Sequence, residues 1–486
     1  MSLWKKFTGW VSGSNSSFFA NSAFNAASYT RDEMRGWLRG LYAPNDELSN
    51  ANRTTIIARI QDAIRNDPIA SAAIQRFVTE IINSGIKPDH SPDINFMREI
   101  DSSLSEDQIK NISSSIEKRF KLWCKSPVDV EQENNYYAVQ RLIYRSQKTS
   151  GDVFVNTPIV NGRLYLQIIE SERVSNPNGV MNTSNTVDGV QINNLGVATH
   201  FHVQVEHPGQ IEGTTGARFE WKRIRVRDSR GRKRFFQVME RKRPDQRRGL
   251  PVLAVVLESI KQLDRFTRAE LFAAVITSNP TLFVESPYGS SIPNNHENPS
   301  AKNKILQTPG AVYDLAPGEK ITSPASGRPN PLYEPFHGAK IKHVAMALNM
   351  PIEIFMMHFT ASFTAGRGAF LLWKKVVGEE RSMFNMNVND CVASVWLDNE
   401  VDQGRIDIPN YSETHLAWKS YFSWNGVAMG SIKELEQLKA ARERIELKLS
   451  NHEKEAKLLG NDWDEVVTRL EQEEARIGRS VDNDNS

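Results

Sequence analysis

Apolar residues recur at helical spacing through the first third of the chain. Ile56, Ile57, Ile60, Ala63 and Ile64 predict a helix around 53–64. Pro68 opens a second helix, with Ile69, Ala73, Phe77, Ile81 and Ile82 on one face and Asn83, Ser84 and Gly85 to stop it. Ile109, Ile112, Ile116, Phe120 and Trp123 predict a third over about 106–124, and another covers about 136–148. From Gly151 the period changes. Val153–Val155, Leu164–Ile168 and His200–Val205 read as strands between Asn, Gly and Pro turns. Residues 218–227 and 234–240 read as a further pair around the turn from Asp228 to Gly231. With no regular strand–helix–strand alternation, the fold class is α+β.

The middle third has its own plan. Between Pro251 and Pro280, Leu253, Leu257, Ile260, Leu263, Phe266, Ala269, Phe272 and Ile276 run without Gly or Pro over 251–277. That is a helix of about 27 residues and about 40 Å, long for a globular domain. Residues 280–335 are rich in proline with short apolar runs, a compact loop-and-strand excursion. A second helix, about 336–349, carries Phe336, Ile341, Val344, Ala345 and Leu348 and closes at Pro351. His358–Gly368 (HFTASFTAGRG) is small and polar and predicts a flexible loop, followed by an amphipathic helix over about 369–399. The Glu/Lys/Leu-rich stretch 431–459 predicts a solvated helix or helical hairpin, and 11–30, rich in Ser, Asn and Ala, a mobile arm.

Composition narrows the classes. Hydrophobic residues make up 39%, enough for a sizeable core, yet no apolar run approaches membrane-spanning length. Cys124 and Cys391 are the only cysteines, which argues against a disulfide framework or a Cys-rich zinc site and fits synthesis in a reducing cytoplasm. The net charge of +2 hides an asymmetry: Arg218–Arg248 holds 14 basic and 4 acidic residues, a balance of +10, whereas 431–486 holds 10 basic and 14 acidic, a balance of −4. The basic block, interleaved with Phe219, Trp221, Phe235 and Phe236, has two readings. It binds phosphate by counterion release, or its charges meet carboxylates of a neighbouring subunit.

Catalytic motifs are scarce. The chain lacks G-x-x-x-x-G-K-[ST], H-E-x-x-H and G-x-S-x-G. Ser115–Lys118 fits S-x-x-K without companion motifs, and His200 with His202 share one strand face, a pairing more often structural than metallic. Asp228 with Glu240 and Lys242 fits the acid-and-lysine pattern of a metal-dependent nuclease, in which two carboxylates hold a divalent ion and lysine steers water. Acid-x-Lys pairs are frequent in any basic hairpin, so this reading stays an alternative.

The segment Arg243–Pro251 (RPDQRRGLP), at the head of the long helix, resembles the lambda-type phage portal family, whose signature there is close to R-P-x-Q-x-R-G-x-P. Further segments agree in order: Arg65–Pro68 (RNDP), Asn83–Pro88 (NSGIKP), Phe120 and Trp123 with Asp129, Gly151–Phe154 (GDVF), Leu166–Arg173 (LQIIESER), Thr308–Gly310 with Leu315–Glu319, and Ala345–Pro351. The resemblance covers roughly 50–475. It departs at Phe363–Arg367 (FTAGR), where the family has a Tyr-Ser-Ser-like run, and at Ser431–Ile432, where an Asp-Pro is usual.

The resemblance implies a portal fold: a mixed α/β wing, a two-helix stem, a small β-containing clip and a helical C-terminal crown. The boundaries are a flexible arm 1–45, wing 46–249, stem helix 250–278, clip 279–332, stem helix 333–350, wing with tunnel loop 351–411 and crown 412–486. It implies a homo-oligomeric ring, usually a dodecamer, at one vertex of the virion head, assembled in the host cytoplasm, through which double-stranded DNA is packaged and ejected. Terminase docks on the clip, head–tail connector proteins replace it, and capsid or scaffold protein surrounds the ring. No catalytic residue, metal, cofactor or membrane is implied. Other DNA-binding virion proteins are the remaining alternative. Contacts to DNA are expected to be weak and to the backbone, because tight phosphate binding stalls translocation. Arg367, Lys374 and Lys375 are the expected DNA-facing residues, and Arg243, Arg247 and Arg248 the expected inter-subunit contacts, arginine being suited to bidentate carboxylate pairing.

Overall fold

The protein is described here from a computed structural model covering residues 41–211, 219–278, 283–285, 320–322, 330–359, 362–430, 434–461 and 463–484. The arm 1–40 and most of 279–332, including Ala311–Tyr313 and Thr308–Gly310, lie outside the described residues. Helix α1, Asn50–Asn66, is capped by Ser49. Asp67 then caps α2, Pro68–Phe77, accepting from the amides of Ile69 (2.8 Å) and Ala70 (3.1 Å), with Pro68 at the first helical position, where its missing N–H is harmless. α2 runs into a π-helical turn, Val78–Ile82, and ends at Asn83 with φ 55°. Strand β1 is Lys87–His90. Helix α3, Glu106–Lys125, starts on a reciprocal cap between Ser105 and Gln108, and α4, Tyr136–Ser150, starts on Asn135.

Strands β2 (Asp152–Asn156) and β3 (Gln167–Glu170) form an antiparallel three-stranded sheet with β8 (Phe235–Met239), in the order β8-β2-β3. The second sheet holds β4 (Thr186–Val187), β5 (Val190–Ile192), β6 (Ala198–Gln204) and β7 (Trp221–Arg225) in that order. The alternation of β2 joins two cores: Val153 and Val155 enter the main one with the helices, while Phe154 enters a smaller one with Val190, Phe201, Val203 and Phe235.

Beneath the sheets lies a buried ion-pair network. Arg248 donates through every N–H of its guanidinium: Nε to Asp152 Oδ2 (2.7 Å), Nη1 to the carbonyls of Val174 (2.6 Å) and Asp188 (2.8 Å), and Nη2 to Asp152 Oδ1 (3.1 Å) and the Ser171 carbonyl (2.8 Å) and hydroxyl (2.9 Å). Arg53 of α1 reaches the same place, Nε to Asp188 Oδ2 at 2.6 Å and Nη1 to Ser171 Oγ at 3.0 Å. Burial alone disfavours every one of these charges. For Arg248 it is outweighed by the Asp152 and Asp188 carboxylates, which raise its pKa; for Asp152 it is outweighed by Arg248, which lowers it. Alongside, a Cβ on Gly249 would meet the Gly151 carbonyl oxygen at 2.0 Å, so two backbones touch where only glycine fits.

This junction launches the middle third. Residues Val252–Val255 wind as a 3-10 turn, and α5 is Leu257–Ser278, 22 residues and so about 33 Å, shorter than the expected 40 Å. The β-branched run at 252, 255 and 256 disfavours the first α turn. Strands β9 (Phe283–Glu285) and β10 (Lys320–Thr322) pair antiparallel beyond its end. Helix α6, Tyr333–Ala347, returns alongside, with Phe266 of α5 against Tyr333 (5.8 Å between rings) and Phe336 (4.8 Å). The outgoing and returning helices stand as expected, and of the excursion between them the described residues hold the β9–β10 pair.

Helix α7, Phe363–Phe384, continues through a second π-helical turn, Asn385–Asn389, into α8, Asp390–Asp402. The buried Asn389 Oδ1 accepts from Tyr136 Oη (2.7 Å) and Gln140 Nε2 (3.0 Å), and Gln140 in turn accepts from the Ile86 amide at 2.8 Å. Helix α9, Tyr411–Ser420, precedes β11, Phe422–Asn425, which pairs with β1 so that His90 faces Phe422. The stretch expected as a helix or helical hairpin holds two helices, α10 (Glu434–Glu446) and α11 (His452–Leu458), and a further helix, α12 (Trp463–Asp484), follows beyond it. His90 locks the β1–β11 joint: Nδ1 lies 2.8 Å from Ser113 Oγ, Nε2 3.0 Å from the Trp418 carbonyl, and burial pushes its pKa down to about 4.

Two outcomes follow for stability. Arg248→Ala strands two buried carboxylates and should cost about 3–5 kcal/mol, read as a shift of the urea midpoint, while Arg248→Met with Asp152→Leu should cost less than either single change. Burial of neutral His90 stabilises fully above its unfolded pKa of about 6.5 and progressively less as pH falls toward 4, because the unfolded chain takes up the proton first. Denaturation midpoints should fall across that window, and His90→Gln should flatten this part of the slope.

Candidate DNA-facing helix and the basic block

α7 has two faces with different surroundings. One face, with Trp373, Val377 and Phe384, is buried in the main core. Arg381 caps carbonyls left open by the first π-helical turn, Nε to Ile81 at 2.8 Å and Nη2 to Glu80 at 3.2 Å, and reaches Val427 at 2.9 Å. Glu380 takes Lys148 Nζ at 2.8 Å and Tyr144 Oη at 3.1 Å. The other face is exposed. Arg367, Leu371, Leu372, Lys374 and Lys375 are all exposed. Arg367 and Lys374 stand two turns apart on one face, with Leu371 between them.

The loop expected over 358–368 is therefore corrected. Ser362 accepts from the Ala365 amide at 3.4 Å and the helix begins at Phe363, which places Arg367 on a helix. Gly366 and Gly368 suggested a loop, but a helical glycine costs only about 1 kcal/mol, which the cap and the buried downstream face offset. The two lysines lie well inside the helix rather than at its beginning.

The basic block divides by partner. Asp228 is a turn residue: its Oδ1 accepts from the amides of Arg230 and Arg232, both at 2.9 Å, and Arg234 Nε lies 3.2 Å from Oδ2. The backbone amide of Arg232, then the Arg234 side chain, overcome burial and hold its pKa down. The carboxylate of the acid-and-lysine pattern is thus engaged by its own hairpin. Among the described residues no group of three or more His, Cys, Asp and Glu could hold a metal ion. Arg230 and Arg232 clamp Asp402 at 2.9 Å and 2.5 Å, tying the hairpin to α8.

The three arginines expected between subunits differ. Arg248 is corrected outright: its donors are all used inside its own chain, as described above. Arg247 is buried and donates to the Gly196 carbonyl at 2.7 Å. Arg243 is exposed, bonded to the Glu47 carboxylate and, at 3.2 Å, to the Tyr42 carbonyl. His200 and His202 do share a face, opposite Arg225 and Arg223 of β7. Sequence reasoning missed Arg53 and Asp188, each far along the chain from Arg248, because single-sequence periodicity carries no sign of long-range pairing.

The family model described as phage portal protein, lambda family, matches residues 30–378. Portal protein B of Escherichia phage lambda is 23% identical over 473 residues, covering 89% of this chain and 86% of the relative. The portal protein of Escherichia phage N15 is 22% identical over 474 residues, covering 89% and 87%. Among solved structures, the neck of an empty gene transfer agent (GTA) particle computed with C6 symmetry aligns with a TM-score of 0.48 at 10% identity, over 84% of this chain and 93% of that one. The neck of the native GTA particle computed with C12 symmetry aligns with a TM-score of 0.42 at 9% identity, over 84% and 93%. The family match takes in the Arg243–Pro251 signature, the buried junction beneath it and both helices of the middle third, and on that match the chain belongs to the lambda family of phage portal proteins.

Proposed function

We propose that copies of this chain close into a ring, dodecameric as the resemblance implies, whose axial channel carries double-stranded DNA into and out of the head. The observation that carries this reading is uncovered apolar surface on three helices, α5, α6 and α7. On α5, Leu271, Phe272 and Val275 are 66%, 67% and 54% exposed; Met346 of α6 and Leu372 of α7 are 73% and 62% exposed. An isolated chain gains nothing from these positions, whereas a heterologous contact repeated around an axis shields them all. α5 and α6 form the stem, 279–332 the clip, 46–249 and 351–411 the wing, and 412–486 the crown.

The chain supplies a conduit and no catalysis. A separate terminase ATPase docks on the clip and pumps; head–tail connector proteins then take its place, and capsid or scaffold protein holds the ring in the virion. Arg367, Lys374 and Lys375 face the DNA from α7. Bare cations on a helix attract backbone phosphates through water without reading bases, which suits a moving polymer.

Native mass spectrometry and negative-stain imaging of the purified full chain should give closed rings with an axial hole; a stable monomer overturns the reading. Removing 283–330 should keep ring formation and abolish terminase docking. Arg367→Glu with Lys374→Glu and Lys375→Glu should leave rings intact and lower the DNA packaged per particle in an assay with terminase. Unchanged packaging would remove these residues from the channel.

A further inference from the structure

The basic block carries more positive charge than its own fold neutralises. Arg230, Arg232 and Arg234 have carboxylate partners, but Lys222, Arg223, Arg225 and Arg227 have none within ion-pair distance among the described residues. All four lie on β7 or just past its end. The register sets Arg223 beside His202 and Arg225 beside His200, with His200 next to Gln191 of β5, which accepts from Arg223 Nε at 2.9 Å. Burial first, and then the Arg223 guanidinium, hold both histidines below their ordinary value, with no carboxylate acting in the other direction.

The opposite face of the same strands is largely apolar at its centre. Phe201, Val203 and Ile224 turn to the smaller core, with Lys222 opposite Val203 at the exposed end of that face, while Arg223 and Arg225 stand with Trp221 on the other face. β7 also ends its sheet: among the described residues no strand pairs with its outer edge. Edge strands expose unpaired backbone donors and acceptors, and the charges they carry decide what joins them.

We propose that the outer edge of β7 docks an extended acidic segment of a partner protein, added as one more strand with carboxylates over Arg223 and Arg225 and apolar residues beside Ile224. A second copy of β7 is a poor occupant, since like charges then stand opposite one another. A nucleic acid matches the charge but supplies neither ladder hydrogen bonds nor alternating apolar groups. The required partner chemistry is therefore a strand in which acidic and β-branched residues alternate. This surface goes beyond the ring reading, needs no neighbour subunit and can fail independently of it.

The test uses purified full-length protein at about 0.15 M salt and three labelled probes. They are a short peptide alternating Glu and Val, a peptide of the same composition with its Glu and Val in separate blocks, and a short DNA duplex. The alternating peptide should bind about tenfold or more tightly than the blocked one by fluorescence anisotropy. Arg223→Glu with Arg225→Glu should abolish that binding and confer binding of a peptide alternating Lys and Val. Equal binding of the alternating and blocked peptides shows charge attraction alone and overturns strand addition. Displacement of the bound peptide by equimolar duplex overturns the choice of a protein partner. Because the first comparison uses the unmodified chain, it decides the proposal even where the double variant misfolds.

Discussion

The fold hangs on a charge that water never reaches. Arg248 sits among Asp152, Asp188 and Ser171, with Arg53 closing the far side, and each member comes from a different stretch of chain. Removing these charges from solvent is expensive, and the arrangement persists because each guanidinium N–H of Arg248 finds an oxygen. Its position matters more than its strength. Arg248 and Gly249 immediately precede the turn that starts α5, so the network sets where the long helix leaves the strands. The close approach of Gly151 to Gly249 adds a steric pin at the same point. The signature Arg243–Pro251 thus has a physical meaning: Gln246 and Arg248 knit the loop, Gly249 lets two backbones meet, and Pro251 ends the loop.

Around that point, two classes of arginine do different work. Those beneath the sheets are enclosed and fully hydrogen-bonded. Arg223 and Arg225 on β7 and Arg367 on α7 are solvated and unpaired by carboxylates, able to meet partners that come and go. Sequence charge alone could not separate them, since the buried Arg248 and the exposed Arg223 and Arg225 sit within the same basic block.

Helices with one long apolar face were legible from spacing: α3 and α4 were readable almost to their ends, as was the pairing of α5 and α6 around a proline-rich excursion. Boundaries governed by short-range competition were not. The 3-10 start before α5 depends on β-branched residues next to Pro251, and the start of α7 depends on a serine cap outweighing two glycines. Leu164–Ile168, read as one strand, is broken: β3 begins only at Gln167. Site residues were legible by type and not by partner. Arg367 and the two lysines are exposed as charge patterning suggests, while the carboxylates that pair with Arg248, Asp152 and Asp188, lie far from it in sequence, where periodicity gives no sign of them.

The second π-helical turn, Asn385–Asn389, bears on how this rod of helix tolerates change. A π turn holds one residue more than an α turn, so everything beyond it is rotated by about 100° relative to an unbroken helix. Trp396 and Val392 reach the main core only because of that offset, and Asn389 faces Tyr136 and Gln140 for the same reason. Loss of any one residue here would straighten the hydrogen-bond ladder and improve the local helix, yet it would swing the inner face of α8 toward water. The segment is thus locked in length by its far end, and its irregularity is a phase setting between two faces rather than a weak point in the rod.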